Sequence, residues 1–75
     1  MATAFVLITA ELGAENEVLR DLKAIQEVKD VHMVYGVYDI IARVETENLQ
    51  DLKDAINLKI RRINKVRTTL TMIVM

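Results

Sequence analysis

A single histidine, His32, and the absence of cysteine and serine from the 75-residue chain remove the usual catalytic arrangements at once. Ser-His-Asp and Cys-His nucleophile systems have no members to draw on, and a metal site built on two histidines of one subunit goes with them. His32 lies among strand-forming residues and reads as a surface or edge residue, able to meet a second histidine only across a symmetry axis. Asp39 and Glu45 stand at strand spacing. A turn-side aspartate and a strand-end glutamate in solvent is the first reading, an acid/base pair the second. These residues predict no catalytic site, no metal and no cofactor.

What the chain does offer is polar recognition. Thr68, Thr69 and Thr71 are good strand formers, and their hydroxyls both donate and accept, so they could hold a small polar ligand. Tyr35 and Tyr38 flank Gly36, suited to cross-strand packing and also to ligand contact. A basic run, Lys59, Arg61, Arg62, Lys65 and Arg67, complements the carbonyl end of a helix. It has no interleaved aromatic, no glycine-rich phosphate loop accompanies it, and the chain has no room for a helix-turn-helix beside its other elements. Direct DNA binding is therefore not expected.

The elements that must position these groups follow from periodicity. Thr3 to Ala10 is apolar at both parities and too short for a helix, which suits a central strand. Glu15 to Gln26 changes period, with Val18, Leu19, Leu22 and Ile25 at helical spacing and the acids Glu15 and Glu17 in the first turn. Val31 to Val44 reads as a β-hairpin hinged on Gly36-Val37, a two-residue type II′ loop in which Gly36 takes positive φ. Tyr38, Ile40, Ala42 and Val44 then share one face of the second arm, and Asp39, Ile41 and Arg43 the other. Thr46 caps a second, longer helix whose stripe is Leu49, Leu52, Ile56, Ile60 and Ile63; Leu58 lies off that stripe, exposed or covered by a partner. Val66 to Met75 is the last strand.

Strand, helix, strand, strand, helix, strand, joined by short right-handed connections, predicts a ferredoxin-like α+β sandwich: a four-stranded antiparallel sheet with both helices on one face. The expected open face carries Phe5, Leu7, Asp39, Ile41, Arg43, Arg67, Thr69, Thr71 and Ile73, too apolar for water and too polar for an ordinary core. With 52% hydrophobic residues in one small domain and no cysteine to staple it, self-association, at least to a dimer, is the expected extra source of burial. The run Ala4 to Ala10 is short, lacks a basic flank and runs into Glu11, so it is neither a signal peptide nor a membrane span. A cytoplasmic protein is expected, and a formal charge of −1 gives no general attraction to nucleic acid or acidic membranes.

The run Val34-Tyr35-Gly36-Val37-Tyr38-Asp39-Ile40-Ile41-Ala42-Arg43-Val44, followed across a helix by Val66-Arg67-Thr68-Thr69-Leu70-Thr71, resembles the C-terminal regulatory domain of the Lrp/AsnC family of transcriptional regulators. The opening Ala4 to Ile8 fits as well, so the resemblance spans essentially the whole chain, without a counterpart of the family's N-terminal DNA-reading domain. It implies a stand-alone effector-binding and oligomerisation (RAM) module that takes a free amino acid between dimers and can co-assemble with a full-length regulator of the same family. Carried over by motif, the ligand-binding positions are Gly36, Tyr38 and Asp39 on the hairpin and Thr69 and Thr71 on the last strand. Turn N–H groups and threonine hydroxyls suit a carboxylate, and Asp39 suits an ammonium group. The sequence departs from the family's commonest pattern at Tyr35, where a small or hydroxyl residue is usual. The same sandwich also serves small dimeric α+β barrel enzymes and purely structural oligomers, so fold alone does not choose among these.

Overall fold

Alternate residues of the opening apolar run disappear from the surface. Ala4, Val6, Ile8 and Ala10 are buried, while Phe5, Leu7 and Thr9 face the other way. In the computed structural model, which describes residues 1–75, this run is β1 (Ala2–Ala10), the strand that holds the sheet together. It pairs antiparallel with β3 (Ile40–Thr46) on one side and β4 (Val66–Ile73) on the other, and β2 (Val28–Met33) pairs with β3, giving the order β2-β3-β1-β4. Two helices, α1 (Glu15–Lys23) and α2 (Leu49–Asp54), share one face. Val18 and Leu22 from the first and Leu52 from the second close over the inward residues of β1 and β3 in one apolar core. The architecture is the expected ferredoxin-like sandwich.

Helix α1 stops earlier than periodicity suggested. Its end tightens into i→i+3 bonds, Ala24 N–H to the Asp21 carbonyl and Ile25 N–H to that of Leu22, which keep Ile25 packed on the core while the chain turns toward β2. At its start Gly13 takes φ 84°, the left-handed conformation that suits glycine. Asn48, rather than Thr46, caps α2: its side chain accepts the Asp51 N–H at 2.8 Å, and the Thr46 hydroxyl donates instead to the Asn48 carbonyl. The helix then continues as a π-helical segment over Ala55–Ile60, seen in the Arg61 N–H bonding to the Ile56 carbonyl at 3.0 Å. The wider winding keeps Ala55, Ile56 and Ile60 buried, while Leu49 and Leu58 stay largely exposed.

Between β2 and β3 the structure departs from the predicted two-residue turn. Gly36 does not have positive φ, the strands end at Met33 and begin again at Ile40, and Val34 N–H to Asp39 carbonyl, 2.8 Å, closes a wider loop. Asp39 is also tied to β1, donating its N–H to the Ile8 carbonyl at 2.9 Å. Tyr35 and Val37 remain in solvent.

The last strand holds the second departure. Val66 pairs with Ala10 on the helix side, as its parity predicted, but Thr68 pairs with Thr9, so Arg67 is an extra residue in a β-bulge. An inserted residue reverses every side chain after it. Leu70 and Met72 therefore join Leu7, Ile41 and Phe5 on the open face, while Thr69, Thr71 and Ile73, expected there, turn to the helix side opposite Ile8, Val6 and Ala4. Lys65, which leads into the bulge, takes φ 73°.

Candidate ligand site

Gly36, Tyr38 and Asp39 come together at the end of the sheet where β1 finishes and β3 begins. Asp39 is half-buried, and its Oδ2 accepts the Ala10 N–H at 3.0 Å. Beside it on the open face, the Thr9 and Thr68 hydroxyls are hydrogen-bonded to each other, and the Thr68 N–H donates to Thr9 Oγ1 at 3.1 Å. Tyr38 is half-buried and Gly36 fully open, with no atom within 4 Å of where a Cβ would stand. The loop thus offers a carboxylate anchored through one oxygen and a stretch of backbone that an incoming molecule could approach closely.

Thr69 and Thr71 are not part of this cluster within one chain. Thr69 lies two strands from Ile40, on the opposite face of the sheet from Asp39, with β1 between them. Thr69 belongs instead to a cavity of about 330 Å³ lined with Arg61, Val66, Arg67 and Thr68. A second cavity, about 250 Å³, lies beside α2 and is lined by Glu27, Thr46, Asp51, Asp54, Ala55, Leu58 and Lys59. Neither cavity reaches Gly36, Tyr38 or Asp39. Sequence reasoning missed Thr9 and Arg61 as neighbours of these groups. The parity of Thr9 was readable, but its partner depends on the bulge.

Several of the other charges are held in pairs. Lys59 Nζ bridges both carboxylate oxygens of Glu27, at 2.9 and 2.8 Å, and that hydrogen bond holds the Glu27 carboxyl below its ordinary pKa. Arg43, on the open face, lies against Asp30 at 2.6 Å and also pairs with Glu45; the Asp30 hydrogen bond raises the guanidinium's pKa. His32 is exposed on the same face, opposite Ile41. No three histidines or acids stand close enough to hold a metal ion, and no helix is long and apolar enough to cross a membrane.

Residues 3–75 match the model of the Lrp/AsnC ligand binding domain. Among curated proteins, the HTH-type transcriptional regulator FL11 of Pyrococcus horikoshii is 33% identical over 72 residues, covering 96% of this chain and 47% of its own length. The chain thus spans about half the length of the curated relatives it matches. Among solved structures, FFRP-DM1 superposes with a TM-score of 0.95 at 45% identity, each chain covered in full. The Neisseria meningitidis transcriptional regulator NMB0573, solved in complex with L-Met, superposes with a TM-score of 0.85 over 99% of this chain and 49% of its own; at 12% identity that likeness is one of fold. With a family model matched over nearly its entire length and relatives that are transcriptional regulators, the chain belongs to the Lrp/AsnC ligand-binding domain family.

Proposed function

We propose that this domain binds a free amino acid as an effector between dimers and couples that binding to assembly in transcriptional regulation. The observation that carries the reading is the Asp39 carboxylate, half-buried, anchored through the Ala10 N–H and adjoining the open backbone at Gly36. A carboxylate held in place by one hydrogen bond retains acceptor capacity for an ammonium group, and loop N–H groups can receive the ligand's carboxylate. L-Met in the Neisseria protein is an amino acid on the same fold. Because Asp39 and Thr69 lie on opposite faces of one chain, a ligand that uses Gly36, Tyr38 and Asp39 together with Thr69 and Thr71 needs two chains to supply them.

The dimer in this reading forms through the open sheet face. Phe5, Leu70 and Met72 are 36%, 46% and 47% exposed there, and Leu7 and Ile41 lie between them, an apolar centre flanked by the Asp30–Arg43–Glu45 pairs at one end and threonines at the other. Such a face is costly in water. Co-assembly with a full-length regulator of the family would use the same surfaces, in the cytoplasm. Regulation rather than catalysis is the activity proposed, in keeping with the regulators among the relatives. Calorimetric titration of the assembled protein with each of the twenty amino acids tests the reading. Saturable heat from one or a few of them, with a change in light-scattering mass, is the expected result; no heat from any removes the effector role.

A further inference from the structure

The ion pairs hold Arg20, Arg43, Lys59 and Lys65; Arg61 and Arg67 are among the six cations without a carboxylate partner, with Arg62, Lys23, Lys29 and Lys53. Both line the cavity of about 330 Å³ between the end of the π-helical segment and the start of β4, where Val66, Thr68 and Thr69 complete the wall and no acid is present. The β-bulge creates this grouping. By inserting Arg67 as the unpaired residue, it turns Thr69 to the same side of the strand as Val66. Arg61 sits in the last turn, where helix carbonyls offset part of its charge, and it also reaches Asn57 Oδ1 at 3.4 Å. The second guanidinium has no such compensation. Two arginines and no acid give the lining of this cavity a net positive charge that favours an anion.

We propose that this cavity binds the phosphate group of a small phosphorylated molecule. Guanidinium forks pair with oxyanions through two parallel N–H···O bonds each, and a tetrahedral dianion has the charge and the oxygens to engage two forks and the Thr69 hydroxyl together. A carboxylate, with one charge and two oxygens, is satisfied by a single fork. The volume lies near the lower end of the range for small-molecule pockets, about 300–1,000 Å³, which leaves room beyond the phosphate for the rest of such a molecule. This site goes beyond the effector reading. It shares Thr69 with it but uses neither Asp39 nor the Gly36 loop.

Isothermal titration with inorganic phosphate in low-chloride buffer, with acetate as the monoanionic control, tests the proposal. The variants are Arg61→Gln with Arg67→Gln, and Arg62→Gln as a control: Arg62 is exposed in the same turn but does not line the cavity, so the control removes equal charge per site. The expected result is saturable binding of phosphate to the wild type, acetate binding weaker by about tenfold or more, a loss of about tenfold or more in the double variant, and no change in Arg62→Gln. Each single arginine variant should give an intermediate loss, and circular dichroism confirms that all remain folded. Absence of saturable phosphate binding, equal affinity for acetate, or an equal loss in Arg62→Gln overturns the proposal. So does binding of a DNA duplex that depends on Arg61 and Arg67 while free phosphate fails to saturate. Asp39→Asn should leave phosphate binding unchanged, so failure here and failure of the amino-acid reading are separately visible.

Discussion

Asp39 closes the end of β1 with its side chain: Oδ2 accepts the Ala10 N–H at 3.0 Å, in the same place where the Asp39 N–H donates to the Ile8 carbonyl at 2.9 Å. The carboxylate is therefore part of the fold as well as the candidate partner of a ligand ammonium. Two substitutions separate these roles. Asp39→Asn keeps an oxygen for the Ala10 N–H and loses the charge, so urea denaturation should stay near wild type while amino-acid affinity falls about tenfold or more, the weight of a charge-assisted hydrogen bond. Asp39→Ala also leaves the Ala10 N–H without its acceptor and should lower stability by about 1 kcal/mol. An Asn variant that binds amino acids as tightly as wild type would exclude Asp39 as the ammonium partner.

The two glycines should respond in opposite ways to the same change. Gly13 holds φ 84°, so Gly13→Ala should destabilise the domain by roughly 1–2 kcal/mol in chemical denaturation. Gly36 lacks positive φ and a Cβ there meets no atom of its own chain, so Gly36→Ala should leave the midpoint unchanged. Any loss of ligand affinity or assembly in Gly36→Ala then reports on a molecule that approaches the loop. A large drop in Gly36→Ala stability would contradict the observed loop conformation.

The open face should make self-association sensitive to charge at its centre. Leu70 is 46% exposed in the single chain and opposes Leu7 on β1. Leu70→Lys should cost the fold little, since the ammonium can remain in water, but it would bury an unpaired cation in a face-to-face dimer. Light scattering at micromolar concentration should give a dimer or larger for wild type and a monomer for the variant. A wild-type monomer, or a variant that assembles unchanged, would move the interface off this face.

The Glu27–Lys59 pair predicts the sign of one pH effect. Hydrogen bonding to Lys59 lowers the Glu27 pKa in the folded state, so folding favours the carboxylate. Its stabilisation is present above the unfolded-state value and is lost as pH falls through the depressed folded value. Both side chains retain solvent contact, 27% for Glu27 and 50% for Lys59, which keeps the contribution to about 0.5 kcal/mol. Glu27→Gln should lose that amount at neutral pH and converge on wild type in acid. Equal differences at pH 7 and pH 2 would show that the loss comes from packing rather than charge.

Periodicity alone determined the order of elements and most of the core. Val18 and Leu22, then Leu52, Ile56 and Ile60, bury at helical spacing, and Ile40, Ala42 and Val44 bury at strand spacing, because the water-avoiding face of each element is written in its local repeat. Gly36, Tyr38 and Asp39 were legible as neighbours because they are contiguous; their reading as ligand positions came from the family resemblance. What the tertiary structure decided is non-local. Asp39 finds its partners, Ile8 and Ala10, on β1, distant in sequence, and the loop at Gly36 lacks the positive φ expected of it. The face on which Thr69 and Thr71 lie was set by a single extra residue, Arg67, opposite the Thr9–Ala10 step. A bulge leaves no mark in the alternation of one strand, since it is defined only by the partner's register. That register moved the threonines away from Asp39 and brought Thr69 to Arg61.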